Sequence, residues 1–451
     1  MTHAMLFRNI EDNKLYLIWQ GGNILIQFHK QDEPLTLLDL AKYCVPKDNA
    51  NISHLWIHAS AEMTACRGDV LELEANGYDC LPQYDGDEGL VSLHAYKKPR
   101  GKYPRFNIIF LYASQWDWNG LSPVETMRLI LKLQDELKVP ISGSPSGVGM
   151  RYLQKCCEKR PLWLAKPEID LSQLPWNGAA RPLIWQRPPE REELECKYLY
   201  AFDKNAAYPR AAMEEKFGYG TPRHVDTDVE EAWCPTTPGI WLVTPHRKAT
   251  PDSDLLPPLV WKWNEPIWLA TPVVKLLLKQ EITLTWHEAW IFTKNAYIFR
   301  NWIDNLWQFR KGSLGVERAA YKSIMNDTLG LTRSSKLGTD SFKYRPDWNV
   351  QVVGGAYAVM HYNIVKFVQI GHYPLICQLD ALYYTSNEDV PNLAVPGILD
   401  HCESLGGYKL KFKIPMDEIE EGMTVRAILS SLMPQGKKLR LLNRIAERHG
   451  Y

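Results

Sequence analysis

The sequence predicts a mixed α+β protein of two or three domains, and three observations carry that prediction. The chain has 451 residues, too many for one hydrophobic core, and 45% of them are apolar, with 17 Trp and 22 Tyr to fill several cores. Apolar, strand-like runs lead to lone aspartates at two places, Asp203 and Asp380. Between them lies a helical pattern in which Arg318, Lys322 and Asn326 recur at four-residue intervals.

Residues 1–140 read mainly as strands. Runs at 15–19, 24–28, 55–58 and 106–112 are rich in Leu, Ile, Phe and Trp, and the Gly21-Gly22 step reads as a hairpin. Glu72 and Glu74 read as a solvated helix or strand face. The glycine-rich stretch 143–149 contains a proline and lacks the Gly-Lys-Ser/Thr ending of a phosphate loop, so it predicts a turn into a helix over 150–159. Residues 174–195, with Pro175, Pro182, Pro188 and Pro189 ahead of an acid-rich step, predict a linker.

Three later segments carry the chemistry. Residues 198–202 are aromatic and apolar enough for a buried strand, and Pro209 stops a helix from running through the following turn. Asp203 then stands at a strand end, where its carboxylate can reach a metal ion; capping the turn is the plainer use of an aspartate there. Residues 316–330 predict a helix closed by Gly330, with Arg318, Lys322 and Asn326 along one face. That stripe suits either solvent or a triphosphate and a templating base. Within 373–384, Asp380 is the one acid among Leu, Ile, Ala and Tyr. Burying it demands a partner charge or a metal, whereas a hairpin tip around Leu379-Asp380-Ala381 would present it to solvent or to Asp203. Carboxylates on adjacent strands with a cation on a helix are what in-line nucleotidyl transfer requires.

Taken in order, these segments resemble the family B DNA polymerases, specifically the palm and fingers of the viral, phage and linear-plasmid group. The family's first motif reads Asp-x-Asn-Ser-Leu-Tyr-Pro, matched here by Asp203, Asn205, Tyr208 and Pro209. Its second, Lys-x-x-x-Asn-Ser-x-Tyr-Gly, is matched by Lys322, Asn326 and Gly330. Its third, Asp-Thr-Asp-Ser, stands against Gln378-Leu379-Asp380-Ala381, which keeps the second acid, the metal-binding one by the resemblance. Weaker similarities at 257–259, 268–275, 281–292, 309–312 and 405–408 extend the match over 180–415. Gln378 replaces an acid, Ala206, Asp327 and Ala381 replace serines, and Leu329 replaces a tyrosine.

The resemblance implies a palm made of an antiparallel sheet with helices, helical fingers and an N-terminal ribonuclease H-like α/β domain. The implied layout is an exonuclease-like domain over 1–140, a helical and Pro-rich connector over 141–195, palm over 196–308, fingers over 309–345, further palm over 346–415, and a reduced thumb or tail over 416–451. It also implies a template-directed DNA polymerase in which Asp203 and Asp380 hold two Mg2+ (or Mn2+) ions. Lys322, with Arg318 or Arg310, would neutralise the phosphates; Asn326 and Lys204 would touch the incoming nucleotide; Tyr208 would stack under the sugar and exclude a 2′-hydroxyl. Implied partners are a DNA primer-template, deoxynucleoside triphosphates and a priming or clamp protein, in a phage, plasmid or other mobile element. The alternative is a catalytically weakened, polymerase-shaped nucleic-acid binder at replication origins or DNA ends. Only 50 residues separate Gly330 from Asp380, enough for a helix over 357–369 and a strand but too few for the insertion that supports strand displacement in protein-primed relatives.

Lys plus Arg balance Asp plus Glu at 52 each, so nucleic-acid binding must rest on local patches. One follows Gly330 and holds Arg333, Lys336, Lys343 and Arg345. Another is Lys409, Lys411 and Lys413, which alternate along one side of a strand, either contacting nucleic acid or guarding a sheet edge. A third is the basic run 437–448. The 9 cysteines have no zinc spacing and predict reduced thiols in a cytoplasmic protein, at a nucleoid or in a host cytoplasm. No apolar run is long enough to predict a membrane span. None of the N-terminal strands carries an Asp-x-Glu pair, and Asp117 is the nearest acid to an exonuclease motif, so that domain is predicted not to cut. Incubated with magnesium, the protein is expected to leave the 3′ end of single-stranded DNA intact. Metal-dependent degradation abolished by Asp117→Ala would contradict this.

Overall fold

The computed structural model describes residues 3–9, 14–19, 22–27, 36–44, 52–61, 63, 65–85, 89–98, 105–111, 114–118, 120–247, 255–335 and 341–451. They form two compact units, Met1–Lys155 with Gln308–Thr328, and Cys156–Trp307 with Leu329–Tyr451.

The first unit is built on a seven-stranded mixed sheet of order β3-β2-β1-β4-β7-β6-β5. β1 (His3–Arg8), β2 (Leu15–Trp19) and β3 (Gly22–Gln27) make an antiparallel meander. β4 (His54–Ile57) pairs parallel with β1, which requires a crossover that α1 (Leu37–Cys44) supplies. The antiparallel hairpin of β5 (Tyr78–Asp85) and β6 (Gly89–Lys97) leads to β7 (Phe106–Phe110), parallel to β4. One face is apolar, with Ala4, Leu6, Leu55, Ile57, Phe106 and Ile108 in a common core. This is the ribonuclease H-like α/β sheet that the resemblance implied. β2 matches its sequence run residue for residue, and Trp19 lies opposite Gly22; residues 20 and 21 of the predicted hairpin turn lie outside the described ones. Glu72 and Glu74 are exposed on α2 (Arg67–Ala75), a solvated helix face.

α3 (Pro123–Leu137) starts at a capping box, with Ser122 and Glu125 bonding reciprocally and Pro123 in the first position. α4 (Pro145–Cys156) begins earlier than the glycine-rich sequence predicted. Pro145 suits a first turn, and Ser144 Oγ accepts from the Gly147 N–H at 3.1 Å. A Cβ on Gly149 would overlap Thr328 and stand 2.9 Å from the Ile324 carbonyl oxygen, so this glycine permits a close helix crossing.

The second unit contains the expected antiparallel palm sheet. Its elements in chain order begin with β8 (Ile184–Gln186), α5 (Arg191–Leu194), β9 (Tyr198–Lys204) and α6 (Ala207–Glu214). The strands β10 (Phe217–Gly218), β11 (Arg223–Val225), β12 (Gly239–Pro245) and β13 (Ile267–Ala270) precede α7 (Thr271–Lys279), β14 (Leu284–Ile291) and β15 (Asn295–Ala296). α8 (Arg300–Lys311) runs to the first unit's segment, which holds α9 (Gly315–Leu331) as far as Thr328, and α10 (Pro346–Val368) leads back in the second unit to β16 (Ile376–Gln378) and β17 (Ala381–Ser386). After α11 (Pro391–Ala394) come β18 (Tyr408–Pro415), the short pair β19 (Ile419–Glu420) and β20 (Met423–Thr424), α12 (Val425–Ser430) and α13 (Gln435–Arg448).

Five strands pair antiparallel in the order β18-β9-β17-β16-β8, and four in a second sheet, β11-β14-β12-β13. On one face of the five-stranded sheet Tyr200, Phe202, Leu382 and Tyr384 pack with α7 and α10. On the other Leu199, Ala201 and Tyr383 pack with α12 and α13. The predicted linker is folded into this unit: β8 pairs with β16, and Trp176 and Ala179 are buried. α6 includes Pro209 in its first turn, where the missing N–H has no helical partner to lose, so proline does not stop it. α10 starts at Pro346 rather than near 357, because Gly354 and Gly355 seat it against Ala270 and Ala211 at 3.3 and 3.2 Å from their would-be Cβ atoms. Gly330 lies inside α9 rather than closing it. In the first unit α9 is tied to α3 by Lys132 Nζ to Glu317 at 2.6 Å and by the Tyr321 hydroxyl donating to Glu136.

All nine cysteines are free thiols. No helix among the described residues is long and apolar enough to cross a membrane.

Arg345, expected in a nucleic-acid patch, is fully buried instead. Its guanidinium grips Asp347 with two bonds of 2.9 and 2.6 Å, donates to the Gly218 carbonyl at 2.6 Å and lies 4.0 Å from the Trp348 ring. A planar cation with a carboxylate two residues on forms a bidentate pair, which leaves only Nη1 of this guanidinium without a hydrogen bond. Asp347→Ala is expected to destabilise the second unit by about 3–5 kcal/mol in denaturant unfolding, because it strands a buried charge. A loss below about 1 kcal/mol would show that the pair is dispensable.

Candidate active site

The palm sheet sets one row of side chains across four strands. Gln378 of β16 lies opposite Ala381 of β17, Ala381 opposite Asp203 of β9, and Asp203 opposite Lys409 of β18. Directly opposed residues share a face, so Gln378, Asp203 and Lys409 all project from the side that holds Leu199 and Ala201. Asp380 occupies the two-residue turn between β16 and β17, which makes it the hairpin-tip acid foreseen as one of two readings. The Lys204 N–H donates to the Asp380 carbonyl at 2.9 Å, tying that tip to the end of β9.

Backbone strain flanks both acids. Leu379, just before Asp380, has φ 58°, and Ala206, three residues after Asp203, has φ 50°. Neither is a residue that takes a left-handed conformation cheaply; each costs about 1 kcal/mol or more and persists only where the surroundings impose it. Leu379 is held by its N–H bonding to the Leu183 carbonyl at 2.7 Å. Asn205 anchors the other turn, exchanging backbone bonds of 2.7 Å with Gly406 and Gly407 and donating from its side chain to the Cys402 carbonyl. At Gly406, φ is 81° and a Cβ would stand 2.8 Å from Arg210 Cγ, so glycine is required there.

Both carboxylates bear on the same phenols. Burial first, then Asp203 and Asp380, raise the Tyr383 hydroxyl pKa, and the two acids act on the buried Tyr408 as well. Tyr208, half-buried, is pushed up to about 12 by burial and by the Asp380 charge. Lys204 is buried, with Nζ 4.6 Å from the Tyr408 ring, and burial brings its amine down to about 8.

Two contacts were not legible in the sequence. Lys409 Nζ makes an ion pair with Asp203 Oδ2 at 3.1 Å. Gln435 Nε2 on α13 donates to Gln378 Oε1 at 2.9 Å and to the Cys377 carbonyl at 3.0 Å, fixing the amide that stands in the third motif's missing acid position. Their only signals were the Gln378 departure and the lysines after Tyr408.

The lysine stripe is corrected. A bulge between Leu410 and Phe412 leaves Lys411 unpaired and reverses the alternation, so Leu410 packs on one side of the sheet and Phe412 on the other. Lys409 and Lys413 consequently face opposite sides, and Lys413 binds Asp389 at 2.6 Å. Arg310 is buried, unlike the exposed Arg318, Lys322 and Asn326 on α9. Gly330 is exposed and Lys343 is half-buried, with Nζ 6.0 Å from the Phe342 ring. Lys336 lies outside the described residues. In the tail, Lys438 donates to the Leu429 carbonyl, and Arg444 pairs with Glu420 and Glu421.

No protein-family model matches the sequence, and no curated protein does. Solved structures do. Phi29 DNA polymerase complexed with primer-template DNA and incoming nucleotide substrates is similar at 13% identity and TM-score 0.56, over 92% of this chain and 84% of that one. Its binary complex with primer-template DNA is similar at 14% identity and TM-score 0.54, over 91% and 84%. The fold is that of a family B-like DNA polymerase.

The palm's buried lysine gives a pH test. Unfolded, Lys204 holds its proton to about pH 10.4; folded, its pKa is about 8. Between those values the unfolded state binds more protons, so this group makes stability rise with pH. The stability of Lys204→Met relative to wild type is therefore expected to be highest below pH 8 and to fall as pH rises toward 10. Urea unfolding across that range would show a flat difference if Lys204 ionises normally.

Proposed function

We propose that the protein is a template-directed DNA polymerase that adds deoxynucleotides to a primer 3′-hydroxyl. The observation that carries this reading is the backbone neighbourhood of the two acids: Ala381 pairs with Asp203, and the Lys204 N–H bonds to the carbonyl of Asp380 in the adjoining turn. Carboxylate oxygens are the donors that magnesium-class ions prefer. Asp203 is half-exposed, and its partner Lys409 is an exposed lysine, so the ion pair is worth about 1 kcal/mol and yields readily to a divalent cation. Asp203 and Asp380 would hold two Mg2+ or Mn2+ ions, which would lower the pKa of the primer hydroxyl and neutralise the triphosphate.

The chain's own residues supply the rest. Asp380 and Asp203 position the reacting ends from a rigid sheet; Tyr208, beside Asp380, is placed to pack under the sugar of an incoming nucleotide and reject a 2′-hydroxyl. Arg318, Lys322 and Asn326 offer an exposed cationic and amide face for triphosphate and base, as the second motif implies. DNA primer-template and deoxynucleoside triphosphates are the partners, with a priming or clamp protein in a phage, plasmid or other mobile element. We read the N-terminal unit as free of proofreading: His3, His54, Asn107 and His94 form a row across β1, β4, β7 and β6, with His3 stacked on His54 and Asn107 bonded to His54 and His94. That face otherwise carries the buried Met5, Trp56 and Ile109, and β1, β4 and β7 contain no acid.

A second reading, a polymerase-shaped nucleic-acid binder at replication origins or DNA ends, is favoured by two observations. Lys409 already neutralises Asp203, and an amide held by Gln435 replaces the outer acid. Primer extension on defined DNA and RNA templates separates the two. On the polymerase reading, Asp203→Asn and Asp380→Asn each lower incorporation by ~10³-fold or more while DNA binding changes little. Wild type that binds primer-template but extends nothing, with either metal, leaves the binder.

A further inference from the structure

Behind the palm sheet, away from Asp203, the second unit carries two adjoining hollows. The larger, about 470 Å³, opens among α6, α7 and α10. α7 and α10 cover the face of Tyr200 and Phe202, whereas Asp203 projects from the face of Leu199 and Ala201. The smaller hollow, about 420 Å³, shares Lys216, Tyr297 and Arg300 with the larger.

The lining departs from the charge balance of the chain. Lys216, Lys275, Lys279 and Arg300 face the larger hollow against two acids, Glu214 and Glu215. Glu214 is engaged by Arg210, and burial raises the Glu215 carboxyl pKa, with Lys275 opposing, so neither competes strongly with an incoming anion. Among the described residues no carboxylate lines the smaller hollow, where Arg160 joins Lys216 and Arg300.

Cations are paired with aromatic rings at three places along this groove. Arg160 Cζ lies 4.6 Å from the Trp163 ring, Arg300 Cζ 3.5 Å from Tyr297, and Lys279 Nζ 4.1 Å from Tyr362, which Lys366 also approaches at 4.6 Å. Tyr362 is 39% exposed, and Arg160, Lys279, Arg300 and Lys366 are exposed, so rings and charges are both accessible. Ring and guanidinium planes take unstacked bases, while interspersed cations take phosphates. A duplex offers the phosphates but keeps its base faces stacked inside. We propose that this groove binds a single strand of nucleic acid, separately from the Asp203 and Asp380 site.

The test is fluorescence anisotropy of the full chain with an oligothymidine and an oligouridine of about 12 nucleotides, within the site sizes of single-strand grooves, and with a hairpin duplex. The Lys279→Ala/Arg300→Ala variant changes only exposed side chains. It is expected to bind the strands about ten-fold more weakly, with the slope of log affinity against log salt shallower by about 1.4, at roughly 0.7 per lost phosphate contact. Duplex binding should be unchanged. Tighter binding of one strand type, lost in the variant, supports the groove. Photocrosslinking wild type with a halogenated pyrimidine strand gives a readout independent of any variant, and adducts are expected on peptides holding Trp163, Tyr297 or Tyr362. Unchanged strand affinity, equal losses for strand and duplex, or adducts only outside the groove would overturn the proposal. Asp203→Asn is expected to retain strand binding, so this inference and the catalytic reading fail separately.

Discussion

The pairing register of β9 with β17 and β18 is the constraint on which the palm depends. Leu199 and Ala201 enter one core while Tyr200 and Phe202 enter the other, and β17 alternates in step, with Tyr383 on the first side and Leu382 and Tyr384 on the second. A slip of one residue would invert every side chain on the shifted strand and bury Asp203 or Lys204 on the wrong face. Two apolar cores therefore enforce the register, and the register puts Ala381 beside Asp203 and holds Asp380 at the adjoining tip. The positions of the two acids are thus fixed first by the burial of apolar surface on both sides of the sheet.

Around that register the sheet tolerates strain and a charge balance that an ordinary core would not. Leu379 and Ala206 both sit at positive φ beside the acids. Lys409 supplies Asp203 with a counter-charge from the opposed position, and Gln435 reaches from α13 to settle Gln378. Each contact satisfies a polar group at the open end of the sheet. α12 and α13, which close the face beneath, thereby influence the site through Gln378 as well as through packing.

The first unit shows the same economy with a different outcome. Its sheet has one apolar face and a second face crossed by His3, His54, Asn107 and His94. His3 and His54 stack at 4.7 Å, and Trp56 donates to His3 at 3.2 Å. Burial, with His3 close by, depresses His54 to about 3, so that imidazole is neutral at ordinary pH. Imidazoles stacked on one another and hydrogen-bonded to a shared amide suit a structural seam.

Much was determined by sequence alone. Local patterns depend on residues close in the chain, so β2, the strand ending at Asp203 and the exposed face of Arg318, Lys322 and Asn326 could be read directly from apolar runs and four-residue spacing. Even the hairpin around Asp380 stood among the readings. What sequence could not supply were partners distant along the chain. The helix expected over 357–369 starts at Pro346, with Gly354 and Gly355 against Ala270 and Ala211, and the prolines of 174–195 read as a linker although β8 pairs with β16. Arg345 looked like a solvent cation because charge is visible in a sequence and burial is not. The Lys411 bulge and the Lys409 ion pair follow from how three strands twist together, and only tertiary structure decides that.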